Sequence, residues 1–218
     1  IEGNPVPLVS VLTVDSGVPN VRFDGTERIN FGQAGLNVNA LTQFGIPPAT
    51  AQQIVAQGGY TSFAALLIEP GISTDSAGQL LDAVTFTNGD RVPGKMNLNT
   101  ATQTVLETLP DMLPDVAASI VSRQSAGGFT RLSELTTVSG ISGGLLPRIA
   151  DAVTVGSDTW IVRADGESGG VVVPLEVVIG IRGGQARILT WERIAGRAIP
   201  ERWGWASEPT STVEAGTQ

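Results

Sequence analysis

KMNLNTATQTVLETLPDMLPDVAASIVSRQ, residues 95–124, opens the stretch of sequence that decides the fold, which continues to Val155. Apolar residues recur three and four positions apart, and proline and glycine interrupt the pattern. This spacing predicts short amphipathic helices joined by tight hairpins. Asn99 or Thr100 is placed to cap the first of these helices, because their side-chain oxygens can accept hydrogen bonds from free backbone N–H groups.

The same pattern occurs once before in the chain. The corresponding segments, at offsets of 66 to 69 residues, are 29–31 with 96–98, Ile54 with Ile120, and 82–85 with 151–154. Loop insertions produce a drift of this size, so the sequence predicts a tandem duplication of one helical module. The linker between the copies, residues 87–94, is short, and we therefore expect the two modules to pack against each other.

Each module contains two helix–turn–helix steps. Their hairpins are the candidate site residues, and they are Gly45 with Ile46, Gly71 with Ile72, Asp111 with Met112, and Gly140 with Ile141. Asp111 takes the position that glycine has in the other three hairpins. We interpret them as structural turns, which glycine favours, or as DNA-contacting turns under the alternative considered below.

These paired steps are similar to helix-hairpin-helix (SAM-like) units. Together with the segments 97–101, 128–129 and 132–135, they resemble the large minor pseudopilin of type II secretion, the general secretion pathway protein K family. The resemblance runs from about Leu8 to Trp191. It implies a partial pilin-like domain that carries the helical modules, and a non-catalytic role in assembly at the tip of a pseudopilus.

The resemblance also implies partners and a location. The partners would be other minor pseudopilins, and the protein would be periplasmic or extracytoplasmic. Members of the family begin with a long apolar helix that anchors them in the inner membrane. The sequence given has no such segment, so we expect it to be the soluble part of a longer protein. Some members bind calcium, and this is the one cofactor that the resemblance suggests.

Composition argues against other classes of function. The chain has 218 residues, a net charge of −8, no Cys and no His. Without Cys or His, catalysis would need a Ser–Lys pair or paired carboxylates. The single lysine, Lys95, follows a linker glycine, where a solvated charge is the ordinary explanation. We therefore expect no enzyme activity.

The alternative function is DNA binding by a helix-hairpin-helix protein of the competence-receptor type. In such motifs hairpin N–H groups hold DNA phosphates with help from Lys or Arg. Residues 29–86 contain no Lys or Arg and three acids. Because counterion release requires cations against the phosphates, we expect no nucleic-acid binding.

Two turns contain oxygen atoms suited to calcium, at residues 87–90 and 165–167. Calcium prefers such hard oxygen ligands. Neither turn has the alternating Asp/Asn pattern of a calcium loop, so we assign no metal ligands.

The last third of the chain changes from helical to alternating periodicity. Three antiparallel strands joined by glycine turns are predicted over residues 158–196, with residues 165–170 as a loop. Trp160 and Trp191 lie in these strands, and we expect them to belong to the core. Trp203 and Trp205 lie in no predicted element, and the polar tail is expected to be disordered.

The sequence therefore predicts an α+β fold with two tandem helix-hairpin-helix-like modules and a small antiparallel sheet. The predicted parts are an N-terminal strand and turns (1–28), the first repeat and linker (29–94), the second repeat (95–157), the β-meander (158–196) and the tail (197–218).

Overall fold

The computed structural model describes residues 17–33, 36–141 and 144–194. The α+β class is confirmed, because short helices and several small sheets alternate along this part of the chain. The first repeat has the helices α1 Val38–Thr42, α2 Pro48–Gln57, α3 Phe63–Leu66 and α4 Thr74–Ala83. The second has α5 Gln103–Leu106, α6 Pro114–Ser125, a 3-10 helix at Leu132–Thr137 and α7 Leu146–Ile149.

The strands are mostly short, apart from the last three. They are β1 Gly17–Pro19, β2 Ile29–Asn30, β3 Val84–Thr85, β4 Arg91–Pro93, β5 Met96–Asn97, β6 Val153–Thr154, β7 Thr159–Ser168, β8 Val171–Arg182 and β9 Gln185–Arg193. Residues 1–16 of the predicted N-terminal strand and turns, Trp203, Trp205 and the tail lie outside the described residues.

A two-residue parallel pair closes each repeat by joining its beginning to its end. In the first repeat β2 pairs with β3, with Ile29 opposite Val84. In the second repeat β5 pairs with β6, with Met96 opposite Val153. The paired residues belong to the segments that align in the sequence, so the two repeats share their elements and the way they close.

One hydrophobic core runs through both repeats. Ile54 of α2 and Ile120 of α6 occupy equivalent positions, and both are fully buried within it. The helix α4 packs on the 3-10 helix, and α3 packs on α7. Because α4 corresponds to α7 and α3 to the 3-10 helix, the two contacts are related by an approximate two-fold axis. The packing expected across the short linker is therefore observed.

Two equivalent aspartates form hydrogen bonds from one repeat to the other at this interface. The Asp151 carboxylate accepts hydrogen bonds from the backbone N–H groups of Phe63 and Ala64 at 2.9 Å each. The Asp82 carboxylate accepts one from the N–H of Ser133 at 3.0 Å. Each repeat therefore caps a helix of the other, since the first N–H groups of a helix have no partner inside it.

The predicted cap of α5 is wrong. Thr102 is the N-cap, and its hydroxyl accepts from the Val105 N–H. Asn99 instead joins two distant segments, because its amide nitrogen donates to the carbonyls of Phe129 (2.8 Å) and Val155 (2.9 Å) and its oxygen accepts from the Phe129 N–H. The four-residue helix α5 begins later than the apolar spacing indicates, so the Asn99 side chain can bond to these segments that are distant in sequence.

The last three strands form the predicted antiparallel meander in the order β7-β8-β9. The loop expected at residues 165–170 is shorter than predicted, because β7 extends to Ser168. The turn is confined to Gly169 and Gly170, whose φ angles of 57° and 77° lie in the left-handed region that glycine adopts without strain.

Asp158 attaches this sheet to the rest of the molecule. Its side chain is 2% exposed and forms ion pairs with Arg91 of β4 and with Arg182 of β8, the latter at 3.3 Å. Its backbone N–H donates to the Gly17 carbonyl, and its own carbonyl accepts from the Ile181 N–H. One residue therefore connects β1, β4 and β8.

The pKa of the Asp158 carboxyl is below its ordinary value. Burial raises this pKa, but hydrogen bonds from Arg91 and Thr159 and the charges of Arg91 and Arg182 lower it by more. The ionised form is thus favoured in the folded protein.

We expect the exchanged caps to stabilise the fold by unequal amounts. Asp82→Ala should lower the free energy of unfolding by about 1 kcal/mol and Asp151→Ala by about 2 kcal/mol, because Asp151 caps two N–H groups. Chemical denaturation measures both values. Asp90→Ala removes an exposed acid and is the control, with a change within about 0.5 kcal/mol. Equal stability of all four proteins would contradict the role assigned to the caps.

Asp158→Asn should reduce stability in a pH-dependent way. At pH 7 we expect a loss of about 2–4 kcal/mol, because two arginines lose their buried counter-ion. Because the pKa of Asp158 is lower in the folded than in the unfolded state, ionised Asp158 stabilises the fold at pH values above the unfolded-state pKa of ~3.9. This contribution is lost as the pH falls through the folded-state pKa. The difference between variant and wild type should therefore shrink below about pH 4. A difference independent of pH, with Asp90→Asn as control, would refute this explanation.

Candidate functional site

The four hairpins share one backbone conformation. The φ angles of Gly45, Gly71 and Gly140 are 71°, 90° and 87°, and that of Asp111 is 55°. Asp111 is the one non-glycine residue with positive φ in the described part of the chain. Aspartate tolerates this region better than most residues. The aspartate also forms an ion pair with Arg148, which connects this hairpin to α7.

The second residue of each hairpin points toward the core. Ile46, Met112 and Ile141 are buried and Ile72 is half-buried. The N–H groups of Ile72, Met112 and Ile141 donate to carbonyls three residues earlier, at 3.3, 3.2 and 3.1 Å. These N–H groups are therefore already used within the turns.

Two hairpins are packed too closely to accept a side chain. A Cβ atom on Gly71 would lie 2.6 Å from Thr50 Oγ1, and one on Gly140 would lie 2.5 Å from Val116 Cγ2. Thr50 and Val116 are equivalent residues of α2 and α6. Both repeats therefore use the second hairpin to pack against the equivalent helix of the same repeat, α2 or α6.

The expectation that Trp160 and Trp191 belong to the core is wrong, because they are 47% and 68% exposed. The strand register places them on one face of the meander. On that face Trp160 and Ile188 flank Ile179, and Val162 and Trp191 flank Val177. Alternation alone predicts that one face is buried, and its apolar side chains made the tryptophan face the expected one.

The opposite face of the meander contains charged residues and glycine, together with the apolar pair Ile161 and Val178. Gly180, the Glu176 side chain and the Arg163 side chain are buried there. A face with ionic groups is the one that the hydrophobic pattern would leave in water. The sheet is therefore reversed relative to the simplest expectation, and its apolar face, defined by Trp160, Val162, Ile188 and Trp191, is exposed.

A cleft of about 510 Å³ lies where the two repeats and the β1–β2 segment meet. We call it the junction cleft. The charged side chains that line it are Arg22, Arg28, Lys95, Arg131, Asp82 and Asp151. Sequence reasoning missed this site, because the four cations come from separate segments. The offset of 67 residues between Arg28 and Lys95 was the available signal.

The structure contradicts the interpretation of Lys95 as a solvated linker charge. Its ammonium group donates to the Asp151 carbonyl, and burial lowers its pKa, an effect opposed by Asp151 and reinforced by Arg28. The pKa of Arg28 is likewise lowered by burial, opposed by Asp82 and reinforced by Arg22. The two equivalent cations thus influence each other inside the cleft.

The turns considered for calcium have other contacts. The carbonyls of Thr87 and Gly89 accept from the Asn20 amide nitrogen at 3.2 and 2.7 Å, and Asp165 pairs with Arg163 at 3.3 Å. Across residues 17–33, 36–141 and 144–194, no group of three or more acidic, His or Cys residues is arranged to hold a metal ion. In the same residues no helix is both long and apolar enough to cross a bilayer.

Comparison with protein families identifies a helix-hairpin-helix motif at residues 93–154. The match spans the second repeat, from β4 to β6. The first repeat has the same elements in the same order and lies outside the matched range. Comparisons with curated proteins and with solved structures found no match.

Proposed function

We propose that this protein is a non-catalytic assembly component, the extracytoplasmic part of a minor pseudopilin of a type II secretion system. The observation that supports this proposal is the exposed apolar face of the meander. Contiguous exposed apolar surface on a folded domain is typical of protein–protein contact sites. The tandem helical repeats would then form the bulky part at the tip of the assembly.

The occupant that we propose for the apolar face is the soluble domain of a companion minor pseudopilin from the same genome. Two exposed tryptophans can act as anchors, because large aromatic side chains contribute much of the energy of interfaces. In the described part of the chain β7 and β9 each pair with β8 alone, so each has one backbone edge toward the outside. A partner strand can add to such an edge.

A periplasmic location and anchoring in the inner membrane by an N-terminal helix belong to the same proposal. So does the absence of catalysis, which rests on a sequence without His or Cys. The resemblance to general secretion pathway protein K in segments 97–101, 128–129 and 132–135 supports these features together.

The proposal predicts a specific complex. Mixed with the soluble domains of the companion pseudopilins, the protein should co-elute in size exclusion at about 100 μM, a concentration that detects weak complexes. Trp160→Ser/Trp191→Ser should weaken the complex at least ~10-fold, because it removes both anchors.

Ile68→Ser is the matched control, since Ile68 is 70% exposed and lies between α3 and α4, away from the sheet. We expect it to bind as the wild type does. Failure of the folded wild-type protein to co-elute would count against assembly. An equal effect of the Ile68 variant and the double tryptophan variant would count against the sheet face.

DNA binding is the second candidate, and the helix-hairpin-helix match favours it. Three hairpin N–H groups already donate within their turns. Asp75 and Asp115 lie in the first turns of α4 and α6, next to two of the hairpins. The net charge of −8 further repels a polyanion.

We therefore expect no retardation of a duplex of about 20 base pairs in a mobility-shift assay at about 0.15 M salt. A basic helix-hairpin-helix protein serves as positive control. Binding in the micromolar range that weakens with added salt would favour the competence-receptor type of function over assembly.

A further inference from the structure

We propose that the junction cleft binds the carboxylates of an acidic peptide segment from a partner protein. This site is separate from the apolar sheet face, since the residues that line the cleft all precede residue 157 and the meander begins at Thr159. Peptide binding in the cleft therefore goes beyond the proposed function, and its absence would leave that function standing.

The two-fold relation between the repeats brings the cations together. Arg28 precedes β2 and Lys95 precedes β5, so they are equivalent residues on either side of the axis. The turn between Val21 and Glu27 adds Arg22. Arg131 joins them from the segment before the 3-10 helix, and its guanidinium lies 5.2 Å from the ring centre of Phe23. Four positive side chains thus surround one cleft in an acidic protein.

The two acids in the cleft, Asp82 and Asp151, act on Arg28 and Lys95 but offset only part of the charge of the four cations. The carboxylate oxygens of Asp82 and Asp151 accept from backbone N–H groups of the opposite repeat. Within the described residues the ion pairs involve other cations, namely Arg91, Arg123, Arg148, Arg163 and Arg182. The cleft therefore has an excess of positive charge.

Hydrogen-bond donors in the cleft also lack anionic partners. Arg22 Nε is buried and has no hydrogen-bond partner. Arg28 uses Nε and Nη1 for the carbonyls of Val21 (3.0 Å) and Val84 (3.3 Å), which are neutral acceptors. A buried donor without a partner and a partly buried cation that contacts only neutral acceptors are both unfavourable, and an anionic ligand would improve the surroundings of both. The lowered pKa values of Arg28 and Lys95 are consistent with that loss of hydration.

The walls of the cleft favour a peptide over a phosphate compound. Apolar side chains form much of the lining, among them Val18, Phe63, Phe86, Leu132 and Val155. The volume of about 510 Å³ falls within the range of ligand pockets and suits a few residues. Guanidinium groups hold carboxylates through two parallel hydrogen bonds. Asp82, Asp151 and the net negative charge of the protein oppose a more highly charged polyphosphate.

The test is calorimetric titration of the full chain with a capped peptide, acetyl-Glu-Leu-Glu-Leu-Glu-amide, at about 20 mM salt, where screening is weak. We expect a dissociation constant between about 10 and 500 μM. The peptide with Gln in place of each Glu should bind at least ~10-fold more weakly, because the cleft recognises charge.

Two double variants separate the cleft from general charge. Arg22→Gln/Arg131→Gln removes two cations of the cleft and should weaken peptide binding at least ~10-fold. Arg187→Gln/Arg193→Gln removes two exposed cations of β9 and changes the net charge equally, so it should bind as the wild type does. Circular dichroism and the melting midpoint establish that each variant is folded.

Several results would overturn the inference. They are no binding up to about 5 mM peptide, equal binding of the Glu and Gln peptides, or equal effects of the two double variants. Inorganic phosphate or a single-stranded oligonucleotide could bind more tightly than the peptide, with this binding lost in the cleft variant. That result would show that the cleft binds phosphate and not carboxylate.

Discussion

The exchange of Asp82 and Asp151 between the repeats is the constraint on which the other features depend. Each carboxylate satisfies backbone N–H groups that the helices of the opposite repeat cannot satisfy themselves. The exchange holds α3 and the 3-10 helix in place, and the shared core closes between them. It also places the two carboxylates beside Arg28 and Lys95, where two acids face the four cations of the cleft. The stability of the helical part and the positive charge of the junction cleft thus have a common origin.

The meander differs from the helical part, because charged residues attach it to the rest of the molecule and several of its large apolar side chains are exposed. Asp158 joins two arginines at the base of the sheet, and the side chains of Glu176 and Arg163 are buried on one face. Trp160 and Trp191 remain exposed on the other face. The charge-rich cleft and the apolar sheet face are therefore distinct surfaces that suit partners of different chemistry.

Much of the helical architecture could be predicted from local sequence patterns. Apolar spacing and the aligned segments indicated the two repeats, and glycine indicated the hairpins, including the position where Asp111 adopts the same backbone. Features that depend on residues distant in sequence could not be predicted. The alternation of β7 and β9 does not say which face meets the core, and a four-residue helix can begin at Thr102 although Asn99 is also a good cap. The cleft joins residues more than 100 positions apart in sequence, such as Arg22 and Arg131, and no periodicity records such a contact.

The closure of each repeat by a two-residue parallel pair has a consequence for the order of folding. The strands β2 and β3 meet after more than 50 intervening residues, so loop entropy opposes the contact until the helices between them have formed. When synthesis has reached Thr85, the N–H groups of Phe63 and Ala64 have no acceptor, because Asp151 has not yet been made. An acceptor for them arrives more than 60 residues later. The first repeat is therefore incomplete until the second has been synthesised, and we expect the two repeats to complete their folding together.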